Sequence, residues 1–240
     1  MSAGRTFVIG DIHGCLDEVD ILLDHLDPTT ADTVVFLGDY IDRGPASREV
    51  IDRLLRLRQR GPRCVFLKGN HEDMLLGYLG GRGHHGSMFL YNGGDATLRS
   101  YGVDPPSVSA AQAAVPAAHV EFLRTLELQY VHGPFLCTHA GVDPRRPLNG
   151  QREEDLLWIR DEFLFNAHPF PFTVLFGHTP QRDVLVDLPY KIGLDTGLVY
   201  WNKLSCLELQ ELRLYQLRRG ERSVESRDCS EWAARLAAAG

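Results

Sequence analysis

Six polar residues stand out by where they fall: Asp11 and His13 in GDIHG, Asp39 in GDYIDRG, Asn70 in GNHE, His139 in THAG and His178 in FGHTP. Each offers an oxygen or imidazole donor, and each follows a short apolar run. Alone, a histidine is more often a hydrogen-bonded structural residue than a ligand, and an aspartate after a strand usually caps a loop. The ordered set is different. Carboxylate and imidazole without thiolate suit hard-to-borderline divalent ions such as Mn2+, Fe or Zn2+. Three histidines, two aspartates and one amide exceed the needs of one open catalytic metal. They match two ions that share a bridging carboxylate.

The apolar runs, at 7–9, 34–37, 65–67, 135–137 and 174–176, read as buried strands. Helical periodicity follows several of them, as with Leu16, Val19, Leu22, Leu23 and Leu26, and again over 50–57 after Pro45. Strand, polar loop and helix in repetition define an α/β domain. In such sheets reactive residues collect where strands end, so chain-distant motifs can converge. Between 77 and 134 the pattern changes to the glycine-rich LGGRGHHG and NGGD and the low-complexity SVSAAQAAVPAA. This segment reads as a cap or insertion with helices near 94–101 and 118–126. KIGLDTGLVYW and LSCLELQ read as a closing pair of strands. Residues 1–217 then form a single domain, and 218–240 a surface helix or frayed tail.

The 240 residues are 44% hydrophobic, and 25 basic against 32 acidic residues leave a formal charge of −7. This composition excludes disordered, collagen-like and disulfide-rich classes. The acidity argues against nucleic acid or an anionic membrane as the main partner. No run approaches the roughly 18 apolar residues of a membrane helix, and no signal region opens the chain. Five scattered cysteines without a C-x-x-C pair fit a reducing, cytoplasmic setting. Nothing specifies an oligomeric state.

GDIHG, GDYIDRG, GNHE, HAG and GHTP, in this order, resemble the metallophosphoesterases of the phosphoprotein phosphatase family, particularly its compact bacterial and bacteriophage-type serine/threonine phosphatases. The likeness spans about residues 7–197. It implies the calcineurin-like metallophosphoesterase fold, two central mixed β-sheets sandwiched between helices in four α-β-β-α layers. It further implies that Asp11, His13 and Asp39 hold one metal, and that Asp39, Asn70, His139 and His178 hold the second. A metal-bridging hydroxide then attacks phosphorus directly, with Mn2+ the first choice of ion. Arg43 and Arg160 match the family's phosphate-binding arginines, His71 its proton donor to the leaving group, and Asp42 the carboxylate that orients His71.

The expected activity is hydrolysis of phosphomonoesters, foremost phosphoserine and phosphothreonine in proteins, with phosphotyrosine a further candidate. The alternative is a symmetrical dinucleoside tetraphosphate hydrolase, against which the retained Asp42 and Arg43 speak. A catalytically silent metal- or phosphate-binding module ranks third, because His71, Asp42 and both arginines are present. Asp195 in GLDTG either hydrogen-bonds a metal-bound histidine or stabilises a turn. Cys15, at a helix start, is a reactive thiol or, more simply, core filler. His84, His85, His119, His132 and His168 read as surface or local structural residues.

Overall fold

The computed structural model describes residues 4–237. Strands and helices alternate from the start: β1 (Thr6–Ile9), α1 (Leu16–Leu26), β2 (Thr33–Phe36), α2 (Ser47–Arg60), β3 (Arg63–Phe66) and α3 (Asn70–Tyr78). There follow α4 (Gly94–Ser100), α5 (Val108–Ala114), α6 (Ala117–Arg124), β4 (Gln129–His132), β5 (Phe135–Thr138), α7 (Glu153–Trp158), α8 (Asp161–Leu164) and β6 (Thr173–Phe176). The chain continues through β7 (Leu185–Asp187), β8 (Lys191–Gly193), β9 (Lys203–Glu208), β10 (Arg213–Arg218), β11 (Glu225–Asp228) and α9 (Ala233–Leu236).

The strands form two sheets, ordered β11-β10-β9-β1-β2-β3 and β4-β5-β6-β8-β7. Helical crossovers make β1, β2 and β3 parallel, and β9 runs antiparallel to β1. Side chains of a strand alternate between faces, and that alternation sorts the core. Phe7 and Ile9 of β1 pack with Leu22 of α1 and Val50 and Leu54 of α2. Val8, Val35 and Val65 face the other way and meet Cys137, Leu175 and Ile192 of the second sheet. On that sheet's far side Leu136, Val174 and Phe176 pack on Leu156 of α7 and Phe163 of α8. Three apolar interfaces thus separate four layers, the expected α-β-β-α sandwich.

Three segments differ from the sequence-based expectation. The stretch 77–134 contributes more than a cap. Phe89, Leu98, Ala111 and Phe122 join the same core as α2 and α3, and β4 adds an edge strand to the second sheet. Gln129–His132 alternates exposed and half-buried residues, so no apolar run announces it. KIGLDTGLVYW and LSCLELQ do not pair with each other: β8 lies in the second sheet, β9 in the first, and the hairpin partner of β9 is β10. Finally, the tail is not mainly helical. β11 pairs antiparallel with β10, its four residues all exposed, a polar strand that blunts a sheet edge. A 3-10 turn (Ser230–Trp232) and the short α9 follow, and residues 238–240 lie outside the described residues. Among the described residues no helix is long and apolar enough to cross a membrane.

Candidate active site

The first sheet delivers Asp11 and His13 just after β1, Asp39 just after β2, and Asn70 as the first residue of the helix that follows β3. The second sheet delivers His139 after β5 and His178 after β6. All six side chains are buried. They meet at the crevice where the ends of both sheets converge. Hydrogen bonds tie the sheets together there: among them, the His178 N–H donates to Asp11 Oδ2 at 3.0 Å, and His139 Nδ1 donates to the Leu37 carbonyl at 2.8 Å.

The loops carrying these residues are locally strained. His13, Asp39, Asp42, Arg43 and His178 have φ values of 46°, 52°, 72°, 68° and 64°. Each lies in the left-handed region that L-residues rarely occupy, at a cost of order 1–3 kcal/mol per residue. Backbone bonds hold the arrangement: the amides of Ile12 and His13 both donate to the Asp39 carbonyl, at 3.1 and 2.8 Å. Close approach adds a second constraint. A Cβ on Gly69 would collide with Asp39 Oδ1, and one on Gly177 with Asp11 Oδ1.

Asp39 is the hub. His13, Asp39 and His71 present ligand atoms within 4.8 Å of one another, and so do Asp39, His139 and His178. Asp39 Oδ2 lies 3.5 Å from His13 Nε2, and Oδ1 lies 3.4 Å from His139 Nε2. Asn70 Oδ1 sits 3.0 Å from His139 Nε2 and 2.8 Å from His178 Nδ1. Asp11 falls outside both tight sets; its Oδ1 is buried without a protein partner, as is His178 Nε2.

These residues fit divalent cations on their own chemistry. With the Nδ1 proton of His139 directed to Leu37, its Nε2 carries a lone pair facing two oxygen acceptors. His13 Nδ1 likewise donates to the Ile41 carbonyl at 2.8 Å, leaving Nε2 as a lone pair. Burial lowers the pKa of His13, His139 and His178 below that of a free imidazole, against the pull of Asp39. The rings are therefore neutral donors. Burial, then Asp195 and Asp39, pushes the Asp11 carboxyl well up. Converging lone pairs and crowded carboxylates are what a cation relieves.

Next to this centre, His71 Nδ1 donates to Asp42 Oδ2 at 2.6 Å, while its Nε2 lies 3.8 Å from Asp39 Oδ2. Burial opposes a charge on His71, but Asp39 and the bond to Asp42 outweigh it and raise its pKa. Arg43 is half-buried and places Nη1 2.6 Å from His13 Nε2, with its guanidinium 5.6 Å from the ring centre of Tyr200. Arg160 is exposed at the rim, Nη2 3.4 Å from the His178 carbonyl. It stands at the N-terminal cap of α8. All ten expected site residues therefore lie in one neighbourhood.

Two further residues escaped the sequence reading. Glu72 accepts the N–H groups of Asp39 and Gly69 on Oε2 and that of Tyr40 on Oε1, at 3.0, 2.9 and 2.8 Å. The signal was available: it is the third residue of α3, where a glutamate reaches back to the preceding amide. Thr97 of α4 contacts Asp42, and nothing near it in sequence marks it.

Asp195 takes its turn role, Oδ1 accepting the Gly197 N–H at 2.9 Å. Burial raises its pKa to about 6. Cys15 is buried and its thiol is pushed up to about 12 by desolvation, so it is core filler rather than a reactive thiolate. Of the remaining histidines, His119 bridges Tyr101 and Asp52 at 2.8 and 3.0 Å and His168 bonds the Tyr190 carbonyl at 2.8 Å, both local structural roles. His85 donates toward Glu154 at 3.2 Å and stands edge-on to Trp158, 5.2 Å between ring centres.

A four-layer sandwich with a buried His/Asp/Asn centre at its strand ends defines a metallophosphoesterase. The chain belongs to the calcineurin-like phosphoesterase family, whose pattern matches residues 4–212, and is a hydrolase of a class that works with divalent metals. It is 31% identical over 217 residues to "Serine/threonine-protein phosphatase 1" of Salmonella typhimurium, covering 86% of this chain and 92% of that protein. It is also 24% identical over 234 residues to "Bis(5'-nucleosyl)-tetraphosphatase PrpE [asymmetrical]" of Anoxybacillus flavithermus, covering 85% and 90%. Among solved structures, a cold-active protein tyrosine phosphatase shares the fold with a TM-score of 0.64 and 19% identity, over 94% of this chain and 79% of that one.

Proposed function

We propose that the protein is a dinuclear metal-dependent phosphomonoesterase acting chiefly on phosphoserine and phosphothreonine in proteins or peptides, with phosphotyrosine within reach. The observation that carries this reading is the buried His71–Asp42 pair aimed at the Asp39-centred cluster. A serine alkoxide is a poor leaving group and needs a proton as the P–O bond breaks. A positioned imidazole supplies it.

Asp11, His13 and Asp39 would hold one ion, and Asp39, Asn70, His139 and His178 the other, with Asp39 shared. Bound there, two divalent ions supply Lewis acidity to the phosphoryl oxygens and lower the pKa of a coordinated water. Mn2+ is the first choice, with Fe or Zn2+ compatible with the same donors. Arg43 and Arg160 bind the phosphoryl oxygens through guanidinium N–H groups. Asp42 holds the His71 ring with Nε2 toward the leaving oxygen, and His71 releases its proton there. The free cysteines support a reducing compartment, the cytoplasm.

A second reading is favoured by the relatives named as asymmetrical tetraphosphatases: cleavage of a dinucleoside tetraphosphate. The alternative expected from the sequence is the symmetrical reaction, whereas these relatives are named for the asymmetrical one. Which phosphate is attacked depends on how the nucleoside seats outside the metal centre, and the metal motifs do not encode that. One metal-loaded panel of phosphoserine peptide, phosphotyrosine peptide, aryl phosphate and dinucleoside tetraphosphate separates the readings. A tetraphosphate kcat/KM far above that of every phosphopeptide overturns the first.

A further inference from the structure

The turn Asp42–Arg43 carries two residues of the proposed chemistry, both with left-handed backbone. One element outside the metal motifs grips both. The Thr97 hydroxyl donates to Asp42 Oδ1 at 2.6 Å, and its oxygen accepts the Asp42 N–H at 2.8 Å. Four residues earlier, the Gly93 carbonyl accepts the Arg43 N–H at 3.0 Å. Gly93 also approaches so closely that a Cβ there would meet Arg43 Cγ at 2.8 Å. Ser47, at the start of α2, lies 3.0 Å from the Thr97 hydroxyl and accepts the same Asp42 N–H at 3.1 Å. Thr97, Ser47 and Asp42 are all fully buried, so no water competes for these bonds.

We infer that Thr97 is a positioning residue for proton transfer to the leaving group, acting through Asp42 on His71. This rests on the proposed role of His71 as the acid. Asp42 has two oxygens: Oδ2 accepts the hydrogen bond from His71 Nδ1 and Oδ1 accepts that from the Thr97 hydroxyl. With both fixed, the carboxylate plane cannot rotate about χ2, and the imidazole inherits its direction. Without the Thr97 hydroxyl, Oδ1 is left unpaired in a dry site, where an unmet acceptor is costly. The carboxylate then turns to find another donor, taking the ring with it. Misplacement of a transferring group by a fraction of an ångström is enough to slow its step. The segment that reads as a glycine-rich cap is thereby part of the acid's support.

The test uses the metal-loaded protein and kcat/KM for phosphoserine peptide and for an activated aryl phosphate. Thr97→Val keeps the volume and removes the hydroxyl. It is expected to lose about tenfold on the phosphopeptide, in kcat rather than KM, and less than threefold on the aryl ester, as partial loss of general-acid catalysis predicts. Thr97→Ser is expected to restore activity within about twofold, because the serine hydroxyl can make the same bonds. In a double-mutant cycle, Thr97→Val should add nothing on the phosphopeptide once His71→Ala is present. Equal losses on both substrates, no rescue by serine, or full additivity overturns the inference, since general damage to the fold would produce those results. His71→Ala separates the two claims. If it loses equally on both substrates, the acid reading falls and the inference with it. If it discriminates while Thr97→Val does not, only the inference falls.

Discussion

His71 Nδ1 and Asp42 Oδ2 lie 2.6 Å apart, with 1% and 0% of their side chains exposed. A buried imidazole hydrogen-bonded to a carboxylate holds a proton in one place and one direction. The proton that can leave is a second one, carried on the opposite ring nitrogen, which faces Asp39.

His71→Ala should therefore lose activity in proportion to how badly the leaving group needs a proton. The loss on phosphoserine peptide is expected to be on the order of 10²–10³ in kcat, within the range for a positioned acid. On an activated aryl phosphate it should stay below about tenfold. Steady-state kinetics on the two substrates check this, and equal losses remove His71 from the role.

Gly69→Ala should unmake the metal centre from outside it. The added Cβ collides with Asp39 Oδ1, displacing the carboxylate shared by both proposed ions. Metal content by elemental analysis is expected to fall below the wild-type ratio, with kcat/KM down by about 100-fold, the upper range for loss of a ligand's support. Full metal content with full activity would show that the backbone relaxes and that the contact is not limiting.

The two arginines should behave unequally. Arg43 is half-buried against His13, whereas Arg160 is exposed with one long contact to the His178 carbonyl. Arg43→Ala should reduce both kcat and substrate affinity, through an interaction strengthened in the transition state. Arg160→Ala should chiefly raise KM, by about tenfold or less. The opposite ranking in steady-state kinetics would place Arg160 nearer the reacting phosphoryl group.

Asp32 provides a pH-dependent stability test away from the site. Its Oδ1 accepts the Arg5 N–H at 2.7 Å, and its Oδ2 accepts Arg5 Nη2 and the Thr29 N–H, both at 2.8 Å. Burial opposes the charge, but these donors outweigh it and hold the carboxyl below its ordinary pKa. A depressed folded-state pKa stabilises the protein above the unfolded value of about 4 and loses that contribution as pH falls below it. Asp32→Ala should cost about 2 kcal/mol at pH 7, or about 4–8 °C in Tm. The difference from wild type should shrink as the pH is lowered below about 4. Thermal melts of both proteins across pH check this; a constant difference would assign the loss to packing.

The metal-ligand candidates were legible because each follows a buried strand, and a buried strand announces itself as an apolar run. What escaped has a different physical basis. β4 and β11 lie at sheet edges, where half-exposed or fully exposed side chains leave no apolar pattern. Thr97 meets Asp42 across 55 positions of chain, and a threonine in a short helix carries no periodic signal. Cys15 follows the simpler of its two readings: desolvation, not its place at a helix start, decides the thiol. Local sequence names the elements; which distant hydroxyl satisfies which carboxylate emerges only when the layers close.

Asp39 hangs from one sheet and His139 and His178 from the other, so the gap between the proposed ion-holding atoms is set by what lies between the sheets. The inter-sheet core of Val8, Val35, Cys137, Leu175 and Ile192 acts as the spacer of a caliper. Its jaws are the ligand loops, and its setting is the summed bulk of side chains that never touch a substrate. A methylene added to or taken from that spacer would be read at the jaws. An apolar layer with no chemistry of its own thereby sets the reach of the ligand loops.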